Sequence, residues 1–265
     1  MRLVVCLKAV PASTEVAMDP VTHTIVRDGG DAVWNPYDTA ALEVALRLKD
    51  EARAAGQEGW VGVVSMGIPA TASLLEDALS RGADEALLLS DRAFAGSDTI
   101  ATCYALTLGI GRLCAEPDLI LCGKMAVDGD TAQIGPMLAA ALRLPVVTGA
   151  TTVERHGAAV DVEQVFDGAR RRLCMHGPGV VTVDKDAATL RMPSIEGVLA
   201  ARRTSVPVAT AADLGADLDR CGLAGSPTQV VSCFVPERAS DAVAIEGTPA
   251  EQAATLAYLM GEVLA

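Results

Sequence analysis

Five short apolar runs alternate with stretches of helical periodicity. They are Leu3-Val4-Val5-Cys6-Leu7, Val61-Gly62-Val63-Val64, Ala86-Leu87-Leu88-Leu89, Leu119-Ile120-Leu121 and a run within 145–153. Short runs without polar alternation belong to strands buried on both faces. The helical patterns lie in 36–49, 69–80, 99–114 and after 136, where Met137, Leu138, Ala141 and Leu142 recur. Strand and helix alternating in this way predict a doubly wound parallel sheet with right-handed crossovers. A length of 265 residues permits one large α/β domain or one domain with an appendage. Hydrophobic residues make up 51% of the chain and aromatic residues 3%. The core must therefore be built from Ala, Val and Leu, which suits helices laid on a parallel sheet.

Past 153 the texture changes. Short strands with period two are expected in 160–165, 170–175 and 180–183, as a small antiparallel addition. Beyond Asp184 regular structure thins, and Pro207, Gly215, Gly222, Gly225, Pro227, Pro236, Gly247 and Pro249 punctuate the chain. A short helix ending at Ala200-Ala201-Arg202-Arg203 and a closing helix at about 250–264 are its regular parts. The organisation expected is an α/β domain over 1–184 and an extended C-terminal arm over 185–265. Such an arm buries too little surface to hold itself together, so it is expected to lie across a partner subunit. The polar stretch 18–33, with the turn signal Asp28-Gly29-Gly30, reads as a short excursion or hairpin.

A net charge of −13 argues against a nucleic-acid partner, because phosphate backbones are met by basic surfaces. No apolar run reaches the ~18 residues of a membrane span. Leu3 to Leu7 is too short for a signal-peptide core, and the sequence reads as cytoplasmic. Seven cysteines without a CxxC pair read as small buried hydrophobes in a reducing compartment. The three histidines are not spaced for zinc, and no nucleophilic triad is visible.

The stretch from Leu121 through Pro136 is where chemistry is expected. A polar loop, Gly123-Lys124-Met125-Ala126-Val127-Asp128-Gly129-Asp130-Thr131-Ala132-Gln133-Ile134, joins the carboxyl end of the fourth strand to a helix. In open α/β sheets ligands sit at such loops. Asp130 or Thr131 is placed to cap the helix, and Gly129 to let the chain approach a ligand closely. Free N–H groups at a helix start suit a phosphate, but an ordinary capped turn explains the spacing as well. The loop matches no Walker or dinucleotide motif, and no GxGxxG follows the first strand. Upstream, Asn35-Pro36-Tyr37-Asp38 carries an N-cap, a first-position proline and a first-turn acid, and capping alone accounts for it.

Several segments together give this chain a specific likeness. In order they are Leu7-Lys8-Ala9-Val10-Pro11; Asn35-Pro36-Tyr37-Asp38 with Ala41-Leu42-Glu43; Val64-Ser65-Met66-Gly67; Gly82-Ala83-Asp84; Cys122 through Pro136; Pro145-Val146-Val147-Thr148; Gly179-Val180-Val181-Thr182-Val183; and Arg191-Met192-Pro193-Ser194-Ile195. In their order and spacing they resemble the β subunit of electron transfer flavoproteins over nearly the whole length.

The resemblance implies an α/β domain of adenine-nucleotide-binding type that pairs with an α subunit as a heterodimer. It implies an FAD held mainly by α and an adenine nucleotide on β: AMP in one branch, a second FAD in the electron-bifurcating branch. By position the nucleotide contacts would be Cys6, Asn35, Pro36, Tyr37, Asp38, Met66 and the loop from Gly123 to Ile134. Lys124 could neutralise charge or be a solvated lysine. Asp128 and Asp130 would repel a bare phosphate and suit ribose, backbone amides or a helix cap. Arg191, Pro193 and Ile195 fall in the segment that docks on acyl-CoA-type or other dehydrogenases. Ile195 then suits either an apolar knob in a partner's pocket or core packing of the following helix. The runs Asp128 to Pro136 and Gly225-Ser226-Pro227-Thr228-Gln229-Val230 resemble the bifurcating branch, which favours FAD over AMP on this subunit. Met192 in place of an aromatic and Ala188-Thr189-Leu190 in place of an Asn-containing run depart from the family and leave the dehydrogenase open.

The expected role is thus an electron carrier rather than a classical enzyme. A stand-alone adenine-nucleotide-binding module of stress-protein type is the alternative. An ATP-cleaving adenylating enzyme would place an SGGxDS-type loop after the first strand, where this chain has Ala9-Val10-Pro11-Ala12-Ser13.

Overall fold

The computed structural model describes residues 1–12, 32–231 and 244–264. The expected excursion at 18–33 falls mostly outside them. Its last two residues begin β3 (Ala32–Trp34), which pairs antiparallel with β2 (Ala9–Pro11) from before the excursion.

The main sheet begins with β1 (Arg2–Cys6), followed after β3 by α1 (Pro36–Ala54), β4 (Trp60–Met66), α2 (Ala72–Ser80), β5 (Glu85–Leu89), α3 (Thr99–Leu113), β6 (Leu119–Gly123) and α4 (Ile134–Leu142). Then come β7 (Val146–His156), β8 (Ala159–Phe166), β9 (Ala169–Met175), β10 (Gly179–Val183), α5 (Ile195–Ala201), β11 (Val208–Ala209) and α6 (Pro249–Leu264). The strand order is β11-β5-β4-β1-β6-β10-β7-β8-β9. Strands from β11 to β7 are parallel, and β7, β8 and β9 form an antiparallel meander at one end.

Alternate residues of the central strands feed two cores. Leu3, Val5, Val61, Val63 and Leu121 pack with Leu42, Leu46 and Leu75 of α1 and α2. Val4, Cys6, Val64, Ile120 and Cys122 pack with Leu106, Ile110 and Leu138 of α3 and α4. This is the doubly wound α/β sheet expected, with its antiparallel addition. No helix of the described residues is long and apolar enough to cross a membrane.

Two expectations need correction. Residues 180–183 do not belong to the antiparallel addition. All five residues of β10 are buried, and the strand runs parallel between β6 and β7. Val180-Val181-Thr182-Val183 is a continuous buried run, the mark of a central strand rather than of a half-exposed one. The tail also returns to the sheet. Residues 208 and 209 add an edge strand beside β5, and Val206, Ala211 and Cys221 are buried. Beyond them, Val230, Val231 and the described part of α6 are exposed, including Leu256, Leu259 and Met260.

Candidate functional site

The chain runs from β1 to β4 and β5 on one side, then crosses to β6 on the other side of β1. The crevice beyond the carboxyl ends of β1 and β6 is therefore the topological switch point, where open α/β sheets bind ligands. Three candidate residues end the strands that meet there: Cys6 on β1, Met66 on β4 and Gly123 on β6. Cys6 lies in register with Val64 and Cys122. Burial, with Cys122, Asp38 and Cys103 adding to it, pushes the Cys6 thiol well up.

The start of α1 ties these ends together. Asp38 is buried, and its carboxylate accepts from the N–H of Lys8 at 2.7 Å and from that of Gly123 at 2.8 Å. One side chain thus bridges the ends of β1 and β6. Burial raises its pKa to about 7, although both N–H donors pull the other way. Gly123 is sterically required. A Cβ there would stand 2.4 Å from Asp38 Oδ1 and 2.5 Å from the Cβ of Tyr37.

Asn35 does not cap α1 with its side chain. Its amide Nδ2 donates to the Met125 carbonyl at 2.8 Å, and its Oδ1 accepts from the Val127 N–H at 3.2 Å. The side chain serves the loop 92 residues away instead of its own helix. Asn35→Ala is therefore expected to leave α1 intact, to lower stability by about 1–2 kcal/mol through the orphaned Val127 N–H, and to speed hydrogen exchange at Val127. Unchanged exchange there would show that the loop is held by other means.

The loop after Gly123 is strained and open. Asp130 and Ala132 have φ of 47° and 53°, left-handed values that side chains other than glycine rarely adopt. The capping expectation fails for Asp130 and Thr131. Helix α4 starts at Ile134, preceded by Gln133, which makes no side-chain cap bond. Among the described residues nothing accepts from the N–H groups of Thr131, Ala132 and Gln133, which precede the helix and are exposed. Gly129 has open space where a Cβ would lie. Unengaged N–H groups at a helix start, on a left-handed turn, make a concavity suited to an anion.

The charges fit that reading in part. Asp128 pairs with Lys8 Nζ at 2.6 Å, and Lys124 Nζ lies 3.3 Å from Asp184, with its side chain half exposed. Asp128 is thereby partly neutralised at the crevice. Pro36 is exposed, whereas Tyr37 is buried against Gly123. Lys8 was visible to sequence reasoning only as part of the run following β1. Its pairing with Asp128, 120 residues away, leaves no local signal.

The tail motif reaches the same region. Asp98 caps α3 through Oδ1, while its Oδ2 accepts from Thr228 N at 3.1 Å and Thr228 Oγ1 at 2.7 Å. Ser226 Oγ accepts from the Asp98 N–H at 2.8 Å. Next to it, Thr99 Oγ1 donates to Gln133 Oε1 at 2.8 Å. The start of α3 thus links the loop ending at Gln133 to the run beginning at Gly225. Arg191, Pro193 and Ile195 lie elsewhere, in the segment where Arg191 bonds to α1 and α5 packs on α2. Arg191 is bonded to Glu43, and Ile195 is 84% exposed, so it does not pack into the core.

Fold and site together place the chain among doubly wound α/β proteins whose candidate site is a main-chain loop at the switch point. Comparison with known proteins narrows this. The electron transfer flavoprotein domain matches residues 22–214. The electron transfer flavoprotein subunit beta of Megasphaera elsdenii is 39% identical over 100% of this chain and 98% of its own. Protein FixA of Azorhizobium caulinodans is 40% identical, covering 93% and 89%. The CarD subunit of the caffeyl-CoA reductase–Etf complex of Acetobacterium woodii is 38% identical, covering 96% and 95%. The chain belongs to the electron transfer flavoprotein family, on the side of its β subunits and FixA proteins.

Proposed function

We propose that this chain binds an adenine nucleotide in the switch-point crevice and works as one half of an electron-carrying heterodimer. The observation that carries the reading is the loop from Gly123 to Ile134: strained at Asp130 and Ala132, pinned by Asn35, with free N–H groups ahead of α4. Those N–H groups would take the phosphates, and the ends of β1 and β4 at Cys6 and Met66 would flank the adenine.

FAD is the favoured nucleotide. The runs 128–136 and 225–230 resemble the bifurcating branch, and both are joined to the start of α3. A bound flavin supplies the capacity to accept and pass on electrons. The chain's own residues bind it, orient it and keep its phosphates on the main chain. The relative CarD is named as a subunit of a caffeyl-CoA reductase–Etf complex, which accords with work in a complex with a redox partner.

The partner proposed is the α subunit of an electron transfer flavoprotein, received by the arm beyond 226. Exposed Leu256, Leu259 and Met260 on α6 support that reading over a stand-alone module, which would leave such a face uncovered. The segment from Arg191 to Ile195 is proposed to dock on dehydrogenases.

The test is co-expression with an α subunit, followed by sizing and a count of flavin and AMP per heterodimer. Two flavins are expected. One flavin with one AMP would move the chain to the other branch. A monomer that ignores α and carries no nucleotide would sink the reading.

A further inference from the structure

The start of the docking segment is held to the body of the fold by an ionic anchor. Glu43, on α1, is buried. Its carboxylate accepts from the Arg191 N–H at 3.0 Å, from Arg191 Nε at 3.0 Å and Nη2 at 3.2 Å, and from Arg47 Nε at 3.0 Å. Arg191 Nη1 reaches Asp50 at 2.7 Å. Arg81, just past the end of α2 and itself gripped by both oxygens of Asp77, donates to the Arg191 carbonyl. Farther on, Gly197 lies so close to α2 that a Cβ would stand 2.1 Å from the Ser80 carbonyl oxygen.

What this anchor holds is turned outward. Met192 is 83% exposed, Ile195 84% and Leu199 50%. Ile195 and Leu199, four apart on α5, share a face. A packing device would cover these side chains. Here the buried contacts are made by the main chain and the guanidinium of Arg191, while the apolar groups are left in solvent. Fixing such groups before binding lowers the entropy lost when they enter a pocket.

We propose that Glu43 is a positioning residue for partner docking: through Arg191 it fixes the main chain from which Met192, Ile195 and Leu199 project into an apolar pocket on a dehydrogenase. This rests on the docking role proposed for the segment from Arg191 to Ile195. The test measures reduction of the heterodimer by a panel of acyl-CoA dehydrogenases, each reduced by its own substrate, across heterodimer concentrations. With the fastest of them, E43Q is expected to raise the KM for the heterodimer roughly tenfold, the scale of one or two rotamer-rich side chains ordered on binding. Its kcat and nucleotide content should stay near those of the parent, while its melting temperature falls because a buried ion pair loses one charge. R191K, which keeps the charge but loses the planar fork, should behave alike, and it decides the matter if E43Q fails to assemble. If I195A raises KM while E43Q and R191K do not, the positioning role is overturned and docking stands. If I195A and M192A both leave KM unchanged, or no dehydrogenase reduces the parent, the docking reading itself fails.

Discussion

Asp38→Ala is expected to destabilise the chain by about 2–6 kcal/mol at pH 5, since it orphans two N–H groups at about 1–3 kcal/mol each. Those groups belong to Lys8 and Gly123, the joined ends of β1 and β6. At pH 8 the loss should be much smaller. The Asp38 pKa is raised by burial from 3.8 to about 7. Between those values the folded state binds more protons than the unfolded one, so stability falls as pH rises through that window. From pH 5 to pH 8 the parent chain loses about 3 kcal/mol through this group, and the variant loses none of it. Urea unfolding of both proteins at the two pH values measures the difference. A gap of equal size at pH 5 and pH 8 would mean that the carboxyl is ionised throughout and that burial does not raise its pKa.

Gly123→Ala should be the second severe substitution. The added Cβ would meet Asp38 Oδ1 at 2.4 Å, Tyr37 Cβ at 2.5 Å and Asp38 N at 2.9 Å. Two of these three atoms belong to the first turn of α1 itself and cannot swing aside. Overpacking of this kind costs about 1–3 kcal/mol, and it would wedge the strand end away from the helix start that closes the crevice. Nucleotide retained after purification should fall with it. Gly129→Ala is the matched control, with nothing within 4 Å of the new atom. Its stability should change by less than about 0.5 kcal/mol, so any loss of nucleotide there reports crowding of the ligand alone. Equal melting of Gly123→Ala and the parent would show that α1 yields, and the steric argument would fall.

The layered sheet was legible because its signal is local. A buried parallel strand is a short apolar run, and Leu3 to Leu7 or Leu119 to Leu121 needs no distant partner to be read. Val180 to Val183 carries the same kind of signal but follows two strands of an antiparallel meander, and its neighbourhood misled. Asn35 holds the N-cap position that its place before Pro36 suggests, but the use of its side chain was hidden for a related reason. Asn before Pro fits a cap, and nothing nearby tells that its amide is used by Met125 and Val127. The contacts that build the site and the docking segment span long separations: 85 residues from Asp38 to Gly123, 130 from Asp98 to Thr228 and 148 from Glu43 to Arg191. Periodicity and capping rules are blind at that range.

The late arrival of β10 has a kinetic consequence. Strand β6 pairs with β1 on one side, yet its other neighbour is supplied only at 179–183. A chain emerging from the ribosome would carry β6 with an unpaired hydrophobic edge until most of its length had been made. Assembly must then thread the strand into a slot between β6 and β7, a non-local step of the sort that slows folding and exposes intermediates to aggregation. Truncation anywhere before 183 removes the keystone of the sheet rather than its trim.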